Sequence, residues 1–388
     1  MDYENFSNSA IVIGGSNGIG LAIAASLMEK GYFVYILDVV SADTLLDQCV
    51  GKYEYIYFDV RRPDYELLKR FKHDHKLKVL MITAGIGRVS ALENLHPVEI
   101  QKTMEINTAP IQMLHFFYER IKSADSFLCG VMGSIAGMVS SPMFSVYAAT
   151  KAAVCRFIES VNIELEVAGV TNRILNVSPG SIRGTKFYGG YNDISGLFSL
   201  ASQIVEKLEE HLELFIPDYD EIYKGVIARY HEDPHMFGLS SYEYKQSSGR
   251  IISKPKIKVG YLSGTFDLFH VGHLNLLERA KKYCDYLIVG VHRDASHKGV
   301  ETFIPFDERM RIVASCKGVD KVVESCSEDS DAWDLWHYDY LFVGSDYKGT
   351  ERFNRYEKYF EDKDVEIIYF PYTKGTSSTQ IRNIISKT

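Results

Sequence analysis

Two pairs of side chains stand at spacings that could do chemistry in this sequence. In "YAATK", Tyr147 and Lys151 are one helical turn apart and share a helix face. An ammonium beside a phenol favours the phenolate and lowers a pKa that starts near ~10. The pair therefore predicts a general acid/base for a carbonyl or an alcohol. Ser134, just after an apolar run, can hold the reacting oxygen. In "GTFDLFHVGHLNLLERAK", His270 and His273 flank Gly272 where a strand pattern gives way to a helical one. Nucleotidyl transfer builds charge around an α-phosphorus and on departing pyrophosphate, so it needs donors and cations rather than a protein nucleophile. Two imidazoles on a turn suit that task, and His273 opens a helix whose free N–H groups favour a phosphate.

A third feature is "GGSNGIG", which follows a strand pattern and opens a helix. Gly14, Gly18 and Gly20 would let the backbone turn tightly, admit a pyrophosphate and pack the helix on a sheet, with Ser16, Asn17 and Ile19 between them. Such turns also occur without a ligand. Asp38 ends the next strand pattern, where a carboxylate can accept from a ribose 2′-OH; a solvated aspartate is the plain alternative. Asp38 would repel a 2′-phosphate, and neither Asn17 nor Val39 supplies a compensating cation. That favours NAD(H), with NADP(H) left open.

These residues need elements that deliver them to strand ends. "AIVIGG", "FVYILD", "YIYFDV", "VLMITAG", "FLCGVMGS" and "RILNVSPG" read as six strands alternating with helical patterns, the first helix being "GLAIAASLMEKG", closed by Gly31. This rhythm predicts a doubly wound α/β parallel sheet. Residues 196–235 become helical and charged, and 241–258 turn polar around Pro255. "IKVGYLSG" then starts a second, smaller round, continued by "YLIVGV", "KVVES", "YLFVGS" and "VEIIYF". Leu274, Leu277 and Ala280 read as the buried stripe of the helix that His273 opens. The expected domains are 1–253 and 257–388, two parallel-sheet domains in tandem.

The chain has 388 residues and a net charge of −8, which argues against nucleic acid or an anionic membrane surface as main partner. Its six cysteines are scattered, with neither a disulfide framework nor a zinc pattern, so a reducing cytoplasm is expected and no protein-held metal. The start, "MDYENFSNSA", is acidic and polar, unlike a signal peptide, and no apolar run approaches membrane-span length, so no membrane insertion is expected.

From residue 9 to about 252 the sequence resembles the short-chain dehydrogenase/reductase family. The resemblance rests on "GGSNGIG", Asp38, "FDV" with Asp59 and Val60, "TAG" with Ala84 and Gly85, Asn107 in "MEINTAP", Ser134 in "GSIAG", the Tyr147/Lys151 pair and "SPGSIRGT". It implies a Rossmann-like domain that binds NAD(P), with Asp59 near the adenine. Asn107, Ser134, Tyr147 and Lys151 would be its catalytic tetrad, Asn107 holding a water that links Lys151 to solvent protons. Ile13 stands where the family has threonine. Ile82-Thr83-Ala84-Gly85 replaces its Asn-Asn-Ala-Gly, removing an asparagine that braces the sheet. Arg183 and Lys186 lie where the family's substrate loop starts and are candidates to hold a substrate phosphate, a solvated loop being the alternative.

Residues 257–388 resemble the His-x-Gly-His nucleotidyltransferases, more narrowly the glycerol-3-phosphate cytidylyltransferases. This implies CTP with Mg²⁺ as substrate, catalytic His270 and His273, and nucleotide contacts from Gly264, Thr265, Phe266, Arg309 in "PFDERMRIV" and Asp346 in "FVGSDYKG". Thr376, Ser377, Ser378 and Thr379 would close on the triphosphate, and Lys298 is a candidate phosphate cation. The family's arginine and glutamate in the closing motif are Tyr372 and Lys374 here, which leaves the nucleotide and the exact acceptor open.

Together the two resemblances imply a bifunctional enzyme. It would reduce a ketose phosphate to an alditol phosphate and then form a CDP-alditol for capsule or teichoic-type polymers, with ribulose 5-phosphate to CDP-ribitol the first choice. Two alternatives keep one activity each: a transferase with an NAD-binding scaffold, or a reductase with a regulatory nucleotide-binding domain. Both families usually self-associate, so a homodimer or homotetramer is expected.

Overall fold

The computed structural model describes residues 6–41, 52–185, 193–247, 249, 251, 257–294, 301–371 and 380–382. The chain divides into two compact units, Met1–Leu95 with Ile100–Lys254, and His96–Glu99 with Pro255–Thr388.

The first unit opens with β1 (Ser9–Ile13), α1 (Gly18–Glu29), β2 (Phe33–Asp38), β3 (Tyr53–Tyr57), α2 (Tyr65–Lys72) and β4 (Leu77–Ile82). It continues with α3 (Pro97–Phe116), α4 (Tyr118–Ile121), β5 (Leu128–Met132), α5 (Ser145–Val167) and β6 (Ile174–Val177). It ends with α6 (Phe198–Glu209), β7 (Leu214–Phe215), α7 (Lys224–Glu232) and α8 (Pro234–Ser247). The sheet has seven strands in the order β3-β2-β1-β4-β5-β6-β7, every pairing parallel. Because its strands are covered on both faces, β1, β5 and β6 are buried along their whole length and read as unbroken apolar runs. One face packs on α1 and α6, the other on α2, α3 and α5. The helix α1 is buried from Gly18 to Met28, which explains a sequence apolar on all sides.

The second unit contains β8 (Val259–Gly264), α9 (Val271–Lys281), β9 (Tyr286–Val291), α10 (Phe306–Ala314), β10 (Lys321–Glu324), α11 (Asp329–Trp336), β11 (Tyr340–Gly344), α12 (Glu351–Phe360) and β12 (Glu366–Phe370). Its five strands run in the order β10-β9-β8-β11-β12, again parallel throughout.

Both sheets reverse strand order once, at β1/β4 and at β8/β11, and a doubly wound sheet binds ligands beyond the strand C-termini at such a point. The glycine loop follows β1 and the histidine turn follows β8, so each lies at its sheet's switch point. The parallel-sheet fold class expected from the sequence is the one found.

Several local expectations are corrected. β7 carries no apolar pattern, being two residues long with Leu214 exposed. The third strand ends at Tyr57, which leaves Asp59 and Val60 beyond it. The polar stretch expected from 241 is helical through Ser247, because Lys245 buries its stem and donates to Ser141 Oγ and the Pro142 carbonyl, both at 2.7 Å. On α9, Leu277 and Ala280 are buried but Leu274 is 36 % exposed, so it leaves the predicted stripe.

Candidate active sites

In the first unit the glycine loop is locked by close approach. A Cβ on Gly20 would stand 2.2 Å from the Gly14 carbonyl oxygen, and one on Gly14 2.5 Å from the Ala84 nitrogen, so neither position admits a side chain. Gly14 also has φ +86°, in the left-handed region. Thr83 completes the lock: its hydroxyl donates to the Gly14 carbonyl at 2.9 Å, with the Ile13 carbonyl at 3.1 Å. The bracing that the sequence seemed to lose with an asparagine is thus supplied by a threonine hydroxyl. Asn17 caps α1 with extended backbone, and the Ser16 hydroxyl is buried with no hydrogen-bond partner. Asp38 faces this loop. It accepts from the Ser16 N–H at 3.1 Å through Oδ2 and from the Val39 N–H at 2.7 Å through Oδ1. A buried orphan hydroxyl, a helix N-terminus and a carboxylate at the end of β2 fit a dinucleotide: pyrophosphate over Gly14–Gly20, ribose on Asp38. Asp59 lies just beyond β3. Arg61 grips it through Nη2 at 2.7 Å and holds its pKa down against the opposing effect of burial.

The four tetrad candidates converge from two helices and one strand end. Asn107 is fully buried on α3. Its Oδ1 accepts from the Ile86 N–H at 2.9 Å, and its Nδ2 donates to the Ile86 carbonyl at 2.9 Å and to Thr150 Oγ at 3.0 Å. Ser134 leaves β5, accepts from the Ala136 N–H at 3.2 Å, and hydrogen-bonds to Tyr147. Tyr147 and Lys151 share one face of α5, with the ammonium 5.6 Å from the phenol ring centre. A Cβ on Gly85 would lie 3.4 Å from Lys151 Nζ and 3.5 Å from Asn107 Oδ1, so the residue after Ala84 runs between those two side chains. Phe144 stacks on Tyr147 at 4.2 Å. Lys151 Nζ donates to the Met132 carbonyl at 2.7 Å.

The electrostatics differ from the expectation of a stabilised phenolate. Burial pushes Tyr147 up to about 12, with the Ser134 hydrogen bond opposing, and pushes Lys151 down to about 8. Both groups are buried, and desolvation is the largest influence on each. The phenol is therefore poised as a proton donor, the form that carbonyl reduction uses. Arg183 is exposed beyond β6, and Lys186 lies outside the described residues.

In the second unit the turn between β8 and α9 is strained. Phe266 and Leu268 have φ of +51° and +49°, uncommon for residues with side chains. Asp267 between them holds the strain in place: it is 4 % exposed and accepts from the Phe303 N–H at 3.1 Å, from the Ile304 N–H at 2.9 Å and from the Arg382 guanidinium. The Gly264–Phe266 segment leads into this turn, with the Thr265 hydroxyl buried and unpartnered. His270 caps α9. Its Nδ1 accepts from the Gly272 N–H at 3.0 Å, and His273 Nδ1 accepts from the His270 N–H at 3.3 Å. An imidazole whose Nδ1 accepts carries its neutral-form proton on Nε2. The backbone thus sets both stacked rings, 4.1 Å apart, as Nε2–H donors, and burial lowers the His270 pKa, favouring that neutral form.

Arg309 sits elsewhere than expected. It is fully buried, and its guanidinium donates to the carbonyls of Ile304 (2.9 Å), Thr265 (2.6 Å), His292 (2.7 Å) and Arg293 (2.7 Å). It clamps the loops behind the turn rather than facing a nucleotide. Asp346 is exposed just beyond β11, on the switch-point side. Lys298, Tyr372, Lys374, Thr376, Ser377, Ser378 and Thr379 lie outside the described residues. Among the described residues no cluster of histidine, cysteine, aspartate and glutamate could hold a metal ion. Sequence reasoning missed Thr83, Thr150, Phe144 and Asp267; only Asp267 carried a signal, a carboxylate inside the apolar approach to the two histidines.

Two families meet in this fold and these sites. The short chain dehydrogenase family model matches residues 8–193, and the cytidylyltransferase-like model matches residues 261–384. The chain belongs to the short-chain dehydrogenases over its first part and to the cytidylyltransferase-like proteins over its second; it is an oxidoreductase joined to a nucleotidyltransferase. A glycerol-3-phosphate cytidylyltransferase of Bacillus spizizenii is 37% identical over 123 residues, 31% of this chain and 90% of that protein. Its counterpart in Staphylococcus aureus is 32% identical over 123 residues, 31% of this chain and 88% of that protein. An uncharacterized oxidoreductase of Saccharomyces cerevisiae, TDA5, is 27% identical over 222 residues, 53% of this chain and 67% of that protein. A solved short-chain dehydrogenase of Streptomyces avermitilis superposes with a TM-score of 0.48 at 21% identity, covering 62% of this chain and 98% of that one. The families imply NAD(P) at the first site and CTP at the second. Among the described residues no helix is long and apolar enough to cross a membrane.

Proposed function

We propose that the chain reduces a ketose phosphate to an alditol phosphate with NADH and then transfers CMP from CTP to that product, giving a CDP-alditol and pyrophosphate. The observation that carries this is the pairing in one chain of a protonated tyrosine site with a paired Nε2–H donor site. The first makes a hydroxyl and leaves the phosphate untouched; the second acts where a phosphate attacks. The likeness of the second part to glycerol-3-phosphate cytidylyltransferases supports an alditol phosphate as acceptor. Ribulose 5-phosphate, leading to CDP-ribitol for a capsule or teichoic-type polymer, is the first substrate to test. The division of labour is the one expected from the sequence, residues 1–253 for reduction and 257–388 for transfer.

At the reductase site the nicotinamide supplies a hydride when bound. Ser134 holds the carbonyl oxygen, and Tyr147 donates its proton to that oxygen as charge develops. Lys151 and Asn107, on either side of Gly85, hold the ribose side and the route by which the proton is replaced. At the transferase site His270 and His273 donate to the phosphate oxygens while the alditol phosphate attacks the α-phosphorus and pyrophosphate leaves. Mg²⁺ enters with the triphosphate. The chain is proposed to act as a homodimer or homotetramer.

Incubation with a panel of ketose phosphates, NADH and CTP, followed by mass detection of products, tests the proposal. A CDP-alditol that forms only when all three are present is expected. No CDP-linked product from any ketose phosphate would overturn it.

A further inference from the structure

We infer that Arg88 holds the phosphate of the ketose substrate at the reductase site, an inference that rests on the function proposed above and deepens it. After β4 the chain runs through Thr83-Ala84-Gly85-Ile86-Gly87-Arg88, and each step of that course is fixed. Thr83 is tied to the glycine loop, and Ile86 exchanges hydrogen bonds with the Asn107 side chain through both its N–H and its carbonyl. Beyond Arg88, the Ser90 N–H donates to the Met143 carbonyl at 2.6 Å, next to the ring that stacks on Tyr147. Gly87 touches the phenol itself. A Cβ there would stand 2.6 Å from Tyr147 Cδ2 and 2.9 Å from Phe144 Cε2. Arg88 is therefore the first side chain beyond a backbone position that lies on the Tyr147 ring.

Binding a ketose phosphate calls for a cation close to the site of reduction. With the carbonyl oxygen on Tyr147, the phosphate of a short ketose phosphate sits only a few bonds further on. Lys151 does not serve, because it is buried and directed at the Met132 carbonyl. Arg183 lies beyond β6 and is exposed. Arg88 is half-buried, and its Nη2 donates to the Asn94 carbonyl at 2.7 Å, which braces the guanidinium at the rim of this loop. A braced planar fork suits a phosphate dianion better than a mobile ammonium does.

The test reads the ratio of kcat/KM for a phosphorylated ketose to that for the same ketose without phosphate. Ribulose 5-phosphate against ribulose, and dihydroxyacetone phosphate against dihydroxyacetone, are the probes, with NADH as reductant. Arg88→Gln is expected to lower the ratio by about 10- to 100-fold, mainly through KM, as loss of one charge-assisted contact does. Arg88→Lys keeps the charge, guards against a fold defect in the glutamine variant, and should retain an intermediate ratio. An Arg88→Gln protein that melts like wild type and keeps the wild-type ratio overturns the inference while leaving the proposed function standing. A wild-type ratio near one shows that no phosphate is recognised, and it sinks the ketose-phosphate reading along with Arg88.

Discussion

Asp38 is the residue on which cofactor choice turns. Its carboxylate is fixed by the N–H groups of Ser16 and Val39, so it cannot swing away from an incoming 2′-phosphate. Val39 beside it is 49 % exposed and carries no charge. NADH should be preferred, and Asp38→Ala combined with Val39→Arg should shift the ratio of specificity constants towards NADPH by about tenfold or more. Steady-state kinetics with both cofactors measures this, and a wild-type preference for NADPH would refute it. Lys151 offers a second measurement at this scale. Its pKa falls from 10.5 to about 8 because burial penalises the ammonium. Below pH 8 the lysine is charged in both the folded and unfolded chain, and the folded form bears the full desolvation cost. Between pH 8 and 10.5 the unfolded chain binds more protons, so this residue makes folding more favourable as pH rises. Lys151→Met should abolish reduction yet melt no lower than wild type at pH 7. The difference should then move in favour of wild type by on the order of 3 kcal/mol as pH climbs through that window. A pH-independent difference would show that the lysine does not titrate there.

At the scale of elements, the second site depends on a turn whose backbone would not hold by itself. Phe266 and Leu268 are both left-handed, and the segment is tied down by Asp267 on one side and Arg309 on the other. Arg309→Met would leave the carbonyls of Thr265, Ile304, His292 and Arg293 without their donor. A stability loss of at least about 3 kcal/mol in urea unfolding is expected, with CTP binding falling only as a consequence. If stability stayed put and only the CTP affinity fell, Arg309 would be a nucleotide ligand after all. This arginine also shows where sequence reading stops. Strands and helices were legible because their apolar runs and 3.6-residue stripes are local patterns, and Tyr147, Lys151, His270 and His273 because their spacings are fixed by single helical turns. Arg309 was legible as important but not as a clamp, because its partners lie on segments 5 to 44 residues away. The Thr83 brace reaches across 69 residues to Gly14 and left no local trace. The direction of the Tyr147 shift was misread for a related reason: spacing reports which charges are near, whereas burial is a property of the assembled core.

For the whole molecule, the question is whether two sites in one chain act in sequence. Each sheet has its own switch point and its own cluster of polar groups. Tyr147→Phe removes the transferable proton but little volume, so it should abolish reduction and spare CTP-dependent pyrophosphate release from preformed alditol phosphate. His273→Ala removes an Nε2–H donor and should do the reverse, at a cost in transfer of about 100-fold or more. If the intermediate is released as free alditol phosphate, the two variants mixed together should make CDP-alditol from ketose phosphate, NADH and CTP, although neither does so alone. Pyrophosphate release by wild type should lag until alditol phosphate accumulates. The His273→Ala protein, added as an extra source of reduction, should shorten the lag, and preformed alditol phosphate should remove it. Following NADH oxidation and pyrophosphate release together over time separates these cases. Prompt pyrophosphate release from unreduced ketose phosphate without NADH would reverse the order of steps. A mixture of the two variants that makes no product, while each retains its own half-reaction, would mean that the intermediate never leaves the chain that made it.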